Sequence, residues 1–126
     1  MSKKIMVIDD EPINTTVISK MLATADYDVD IFNEPEKAWH TLQQIPEDYR
    51  LVITDRIMPK LDGLSLTKHI KENTLTKHLP VLMQTGDADK TEHIEAFQAG
   101  VFDFIFKPVE KPLLLSIVKR ALENST

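Results

Sequence analysis

Six polar residues at four separate places in the sequence could share one piece of chemistry. Each ends or directly follows a short apolar run, and they are Asp9, Asp10, Glu11, Asp55, Thr85 and Lys107. Carboxylates held close together repel one another, which raises their pKa values unless a positive charge compensates. Mg²⁺ prefers hard oxygen ligands of this kind and keeps several waters. The acids would therefore suit a magnesium site if the fold brings them together.

The lysine and the hydroxyl suit an anion at the same place, and a phosphoryl group is the anion we expect. An Asp carboxylate can attack phosphorus to form an acyl phosphate, while a metal ion and a lysine offset the charge on the transferred group. Only three glycines occur, Gly63, Gly86 and Gly100, and they form no glycine-rich phosphate cradle. The phosphoryl donor is therefore not expected to be a bound nucleotide.

The elements that must position these residues alternate along the chain. Buried-type apolar runs predict five strands, and segments of helical period between them predict five helices. The strands are expected at 4–8, 29–32, 51–54, 80–85 and 104–106. The helices are expected at 12–25, from the Asn33 cap to 44, at 64–72, from the Asp89 cap to 99, and from 112 to about 122. Parallel strands with helical crossovers form a sheet covered on both faces, and ligands bind at the carboxyl ends of its strands. The six polar residues should meet at that edge.

Helix signals add local predictions. Asn33 with Glu36, and Asp89 with Glu92, have the spacing of capping boxes. Gly100 is placed to end the fourth helix. The first helix should bury an apolar face at spacings of about four, formed by Ile13, Val17, Met21 and Leu22. The phenylalanines near the C-terminus are expected to pack in or against the core, and the four histidines to lie at the surface.

Length and composition exclude several classes of protein. A chain of 126 residues, 42% hydrophobic and 28% charged, fits one domain over 1–126, structured at about 4–123. The absence of cysteine excludes disulfides and thiolate metal sites and fits the cytoplasm. No signal peptide or membrane span is evident, and a net charge of −5 argues against direct nucleic-acid binding.

The chain resembles the receiver domain of two-component response regulators, of the chemotaxis-regulator type, over essentially its whole length. The residues that carry the resemblance are Val7 to Glu11, Asp55 with Met58-Pro59 and Asp62-Gly63, Thr85, and Gly100 through Asp103-Phe104 to Lys107-Pro108. The resemblance implies a flavodoxin-like α/β fold, a five-stranded parallel sheet in the order 2-1-3-4-5 with helices on both faces. It also implies a bacterial phosphorelay protein that acts as a switch and not as an enzyme on a separate substrate.

By the same resemblance, Asp55 accepts a phosphoryl group from the phosphohistidine of a sensor histidine kinase or phosphotransfer protein. Mg²⁺ would be bound by Asp10 and Asp55, with Asp9 assisting and the backbone carbonyl of Ile57 as a further ligand.

Thr85 and Lys107 would contact the phosphoryl group, and Phe104 would turn inward. The Lys107–Pro108 peptide bond would be cis, and helix four, strand five and helix five would carry the signal to an output domain or target protein. Ile57 and Asp87 occupy positions that tune phosphate lifetime in the family. The cognate kinase, the output and the question of a longer parent protein stay open.

Three alternatives remain at this point. A haloacid-dehalogenase-like phosphatase also uses an Asp nucleophile with magnesium, but it needs a second Asp where Ile57 stands. A flavodoxin-like FMN binder needs a phosphate loop after strand one, where Asp9, Asp10 and Glu11 would repel phosphate. A degenerate receiver that serves as a scaffold would keep the fold and lose the chemistry, which the intact acidic set argues against.

Overall fold

The computed structural model describes residues 3–86 and 90–124. Its five strands form one parallel sheet in the order β2-β1-β3-β4-β5, as the resemblance implies. The strands are β1 (Lys4–Ile8), β2 (Val29–Phe32), β3 (Tyr49–Asp55), β4 (Val81–Thr85) and β5 (Asp103–Phe106). The helices are α1 (Pro12–Ala23), α2 (Pro35–Gln44), α3 (Gly63–Glu72), α4 (Lys90–Ala99) and α5 (Lys111–Asn124), with a 3₁₀ turn at Pro46–Asp48.

The two faces of the sheet carry separate cores because successive side chains on a strand point to opposite faces. Along β1, Met6 and Ile8 pack in the core that includes residues of α2, α3 and α4. Ile5 and Val7 pack in the core that includes residues of α1 and α5. A strand covered on both sides needs apolar residues at every position, which explains the uninterrupted apolar run in the sequence.

The predicted apolar face of α1 is wrong in part. Ile13 is 77% exposed and Val17 is 42% exposed, whereas Ile18 and Leu22 are buried. At about 100° per residue, Leu22 lies on the opposite side of the helix from Ile13, so the four residues cannot share one face. Thr15 is buried in that face instead, and its hydroxyl donates to the carbonyl of Pro12 at 3.0 Å.

The capping box predicted at Asn33 is also wrong. Glu34 is the N-cap of α2, and its side chain makes no capping hydrogen bond. The Asn33 amide instead donates to the backbone carbonyl of Asp9 at 2.8 Å and to the Thr15 hydroxyl at 3.1 Å. Asn33 therefore ties the end of β2 to the end of β1 and the start of α1.

The end of α4 agrees with its sequence signal, since Gly100 follows the helix with a φ of +113°. Asp87 and Asp89, to which a lifetime role and a cap were assigned, lie outside the described residues. Within the described part of the chain, no helix is both long enough and apolar enough to cross a membrane.

Candidate functional site

Three carboxylates meet where β1 and β3 end. Asp9 and Asp10 follow β1, Asp55 is the last residue of β3, and one carboxylate oxygen from each lies within 4.8 Å of the others. Asp9 and Asp55 are buried, with 0% and 6% of their surface exposed. Hard oxygen donors at this separation fit a divalent cation such as Mg²⁺. The sequence prediction that the fold brings these acids together is thus confirmed.

Asp9 is held in place by donors from three segments. Its carboxylate accepts hydrogen bonds from the backbone N–H of Glu11 at 3.1 Å and from the amide of Asn14 at 3.2 Å, and its carbonyl accepts from Asn33. Burial raises the pKa of Asp9, the negative charge of Asp55 raises it further, and the bonds from Glu11 and Asn14 oppose the rise. Asp9 is therefore an ionisable group that a nearby cation would stabilise in its charged form.

Lys107 provides the positive charge on the other side of Asp55. Its Nζ lies 2.7 Å from Oδ1 of Asp55, and the side chains are 31% and 8% exposed, respectively. Burial acts to lower the pKa of Lys107, but the hydrogen bond and charge of Asp55, together with the charges of Asp9 and Glu11, leave it raised. Lys107 thus stays protonated and can neutralise an anion at Asp55.

The loop after β3 fits closely around Asp55. A Cβ atom at Gly63 would lie 2.2 Å from the carbonyl oxygen of Asp55, so only glycine allows α3 to begin there. The Gly63 N–H donates to the carbonyl of Arg56 at 2.9 Å, and the Arg56 N–H donates to the carbonyl of Gln84 at 3.1 Å. Ile57 lies in this loop with its side chain 66% exposed.

Thr85 and Phe104 lie on the two neighbouring strands. Thr85 is the buried last residue of β4, and Phe104 on β5 is only 4% exposed. His93 of α4 was expected at the surface but is partly buried, with its ring centroid 4.3 Å from that of Phe104. Phe97 of α4 meets Phe104 edge-on at 5.0 Å. The Lys107–Pro108 peptide bond after β5 is cis.

Sequence reasoning missed the residues that support the acids. Asn14 and Asn33 hold Asp9, and Gly63 makes room for the carbonyl of Asp55. One signal was available for Asn33, because it directly follows β2 and so had to lie at the same sheet edge as the acids. No comparable signal marked Asn14.

A comparison with known protein families matches residues 5–119 to the response regulator receiver domain. The chain belongs to this family. Chemotaxis protein CheY-3 of Vibrio cholerae is 36% identical over 125 residues, which cover 96% of this receiver domain and 92% of CheY-3. Other curated relatives are much longer, since the chain spans 26% of a probable cyclic di-GMP phosphodiesterase of Vibrio cholerae and 7% of a hybrid signal transduction histidine kinase of Dictyostelium discoideum.

Solved receiver structures share the fold. One from Clostridium thermocellum has a TM-score of 0.89 at 29% identity, over 98% of this chain and 96% of its own. The receiver domain of a sensor histidine kinase from Pseudomonas aeruginosa has a TM-score of 0.86 at 27% identity, over 98% and 99% of the two chains, and holds a magnesium ion in its active-site cleft.

The family and the acidic pocket together give the function in general terms. The chain is the phosphoacceptor switch domain of a two-component system, a class that works with histidine kinases or phosphotransfer proteins. The family match and the acidic pocket do not favour the phosphatase alternative.

Proposed function

We propose that Asp55 is the residue that accepts the phosphoryl group. The observation that carries this assignment is that Asp55 belongs both to the acidic cluster and to the contact with the lysine. It is one of the three clustered carboxylates, and it is the partner of Lys107 at 2.7 Å. A phosphoryl group on Asp55 would therefore lie between the acids and a lysine.

Mg²⁺ is the cation that we propose for the acidic cluster, with Asp10 and Asp55 as ligands, Asp9 assisting and the Ile57 carbonyl completing the protein ligands. The spacing of the carboxylates and the magnesium in the cleft of the Pseudomonas receiver support this choice. When bound, the ion supplies positive charge that offsets the charge on the phosphoryl oxygens.

In the proposed step, a carboxylate oxygen of Asp55 attacks the phosphorus of a phosphohistidine on the partner. The new O–P bond forms as the N–P bond breaks, and the electron pair of that bond stays on the imidazole nitrogen. Lys107 then exchanges the Asp55 carboxylate for a phosphoryl oxygen, because the larger charge now lies there. The Thr85 hydroxyl donates to a second oxygen. Phe104, which is already buried, passes the movement to α4 through its contacts with His93 and Phe97.

The signal would leave through α4, β5 and α5, because β5 carries Phe104 and ends directly before Lys107. The protein modifies no separate substrate, since the phosphoryl group is accepted by its own Asp55 and is later hydrolysed there. A histidine kinase or phosphotransfer protein supplies the phosphoryl group, and an output domain or target protein receives the signal. We place this reaction in the cytoplasm, where a cysteine-free protein is suited to reducing conditions.

Acetyl phosphate tests the assignment without a kinase. The protein incubated with Mg²⁺ and acetyl phosphate should gain one phosphoryl group, measured by intact mass, and lose it in base as an acyl phosphate does. Asp55→Asn should abolish this gain. Asp26→Asn, a change of an exposed acid outside the cluster at a positive φ of 64° that Asn also tolerates, should be labelled like the wild type.

Equal labelling of wild type and Asp55→Asn would refute Asp55 as the acceptor. Labelling that is the same with Mg²⁺ and with a chelator would refute the metal.

A further inference from the structure

An ion pair joins the residue after the acceptor to the first turn of α4. Nη1 of Arg56 lies 2.9 Å from Oε2 of Glu92, and the side chains are 22% and 39% exposed. The two residues are far apart in the sequence, and β4 and the segment after Thr85 lie between them. The pair therefore connects the residue after β3, the strand that ends in Asp55, to the first turn of α4.

The Arg56 end of this connection is fixed. Its N–H donates to the carbonyl of Gln84 on β4, and its carbonyl accepts from the N–H of Gly63 at the start of α3. The backbone of Arg56 is thus part of the sheet edge, so Glu92 is tied to a rigid point of the fold.

The α4 end is held more loosely. Within α4, all of which is described, Ala96 is the only fully buried residue. By contrast, α3 has the same length and buries four residues, Gly63, Leu66, Thr67 and Ile70. A cavity of about 340 Å³ separates α4 from the acceptor loop, and Met58, Leu64 and Met83 line it together with the two ion-pair residues. The ion pair therefore crosses a region that is not closely packed.

We propose that Arg56 and Glu92 are positioning residues that hold α4 in its unphosphorylated place and so oppose phosphorylation of Asp55. The proposal rests on the function proposed above. A contact that is stronger in the unphosphorylated state than in the phosphorylated state stabilises the unphosphorylated state. It therefore opposes the conformational change that phosphorylation of Asp55 drives. Partly exposed ion pairs contribute modestly, so we expect a factor of about two- to fivefold.

The test measures the ratio of phosphorylated to unphosphorylated protein at a fixed, subsaturating acetyl phosphate concentration with Mg²⁺. Glu92→Gln removes the charge on α4 and leaves the acceptor site untouched. It should raise the ratio about two- to fivefold, as the loss of such a pair predicts. Glu95→Gln is the matched control, since Glu95 lines the same cavity one turn away and makes no ion pair with a described residue.

A double-mutant cycle identifies the partner. Arg56→Gln alone also removes a positive charge beside Asp55, so its own effect mixes two causes. In an Arg56→Gln background, however, Glu92→Gln should change the ratio no further. Arg56→Lys, which keeps the charge, should restore sensitivity to Glu92→Gln.

Hydrogen exchange gives a readout that does not depend on phosphorylation. In the unphosphorylated protein, Glu92→Gln should speed amide exchange within 90–99 about two- to fivefold, and Glu95→Gln should not. An effect of Glu92→Gln that is equally large in the Arg56→Gln background would overturn the proposal, and so would equal behaviour of the Glu92 and Glu95 variants. A wild type that takes no phosphoryl group would refute the proposed function, while the exchange rates would still decide the role of the pair.

Discussion

Acidic side chains are compensated at one end of the parallel sheet and clustered at the other. At the amino end, Asp30 of β2 accepts a 2.6 Å hydrogen bond from the Tyr49 hydroxyl on one oxygen and pairs with Lys4 at 3.3 Å on the other. At the carboxyl end, one oxygen from each of three carboxylates lies within 4.8 Å of the others, and Lys107 forms an ion pair with one of the three, Asp55.

The difference shows which end is arranged for stability and which for chemistry. One acid with a donor on each oxygen contributes favourably to folding. Three neighbouring acids are unfavourable until a cation joins them, and such a conflict is typical of a functional site. Substitutions at the two ends should therefore separate the effects on folding from the effects on phosphorylation.

The largest expected effect is at the carboxyl end, where Gly63→Ala should lower both stability and phosphorylation. The new Cβ would lie 2.2 Å from the carbonyl oxygen of Asp55. Forcing that contact apart costs about 3 kcal/mol and displaces the acceptor, which urea unfolding and acetyl phosphate labelling would show. Gly86→Ala is the control, because nothing lies within 4 Å of a Cβ there. Equal losses in both variants would contradict the close approach at Gly63.

A smaller effect confined to stability is expected from Tyr49→Phe at the amino end. The change removes the hydrogen bond to Asp30, which should cost about 1 kcal/mol in the free energy of unfolding. Labelling of Asp55 should stay at the wild-type level, since Tyr49 lies at the opposite end of β3. Reduced labelling in a fully folded Tyr49→Phe protein would mean that the two ends are not independent.

The smallest effect should have the opposite sign. Without divalent cations, Asp9→Asn should make the protein more stable, because burial and the charge of Asp55 raise the pKa of Asp9 in the folded state. The folded protein then binds a proton more tightly than the unfolded chain does. The loss of folding stability caused by ionised Asp9 is therefore absent below the ordinary Asp pKa of about 4. It grows as pH rises toward and through the raised pKa of Asp9 in the folded protein.

Thermal unfolding of the wild type and of Asp9→Asn across this pH range measures the cost as a difference in Tm. The difference should widen with pH and shrink when Mg²⁺ is added. A difference that is constant with pH would show that ionisation of Asp9 is not its source.

The sequence was sufficient to predict the parallel sheet and the acids at the carboxyl ends of its strands. Apolar residues placed β1 and β2 at their observed bounds and β4 within one residue of them, and the acids were then expected at the ends of their strands. The face of α1 could not be read in the same way. Thr15 is buried there because it finds hydrogen-bond partners within the fold, in Pro12 and Asn33, and a hydrophobic pattern does not show such partners.

Contacts between distant residues were also beyond the sequence. Nothing in the residue types of Arg56 and Glu92 marks them as partners, because many other acids were available to Arg56. The same holds for His93, whose contact with Phe104 depends on how α4 crosses β5. Strand periodicity fixes which way a side chain points, but the placement of a helix over the sheet sets what it meets.

The far end of α4 adds a consequence for how the signal could travel. Gly100 is covered by the aliphatic chain of Lys71, and a Cβ there would lie 2.6 Å from its Cγ. The Lys71 ammonium donates to the carbonyl of Leu79 at 2.6 Å, and the buried Val101 follows directly. The α4 helix is held at this end by the Lys71 contact, so a movement of its other end would tilt it about Gly100. Its ten residues span about 15 Å, so any tilt is largest at the end beside Asp55.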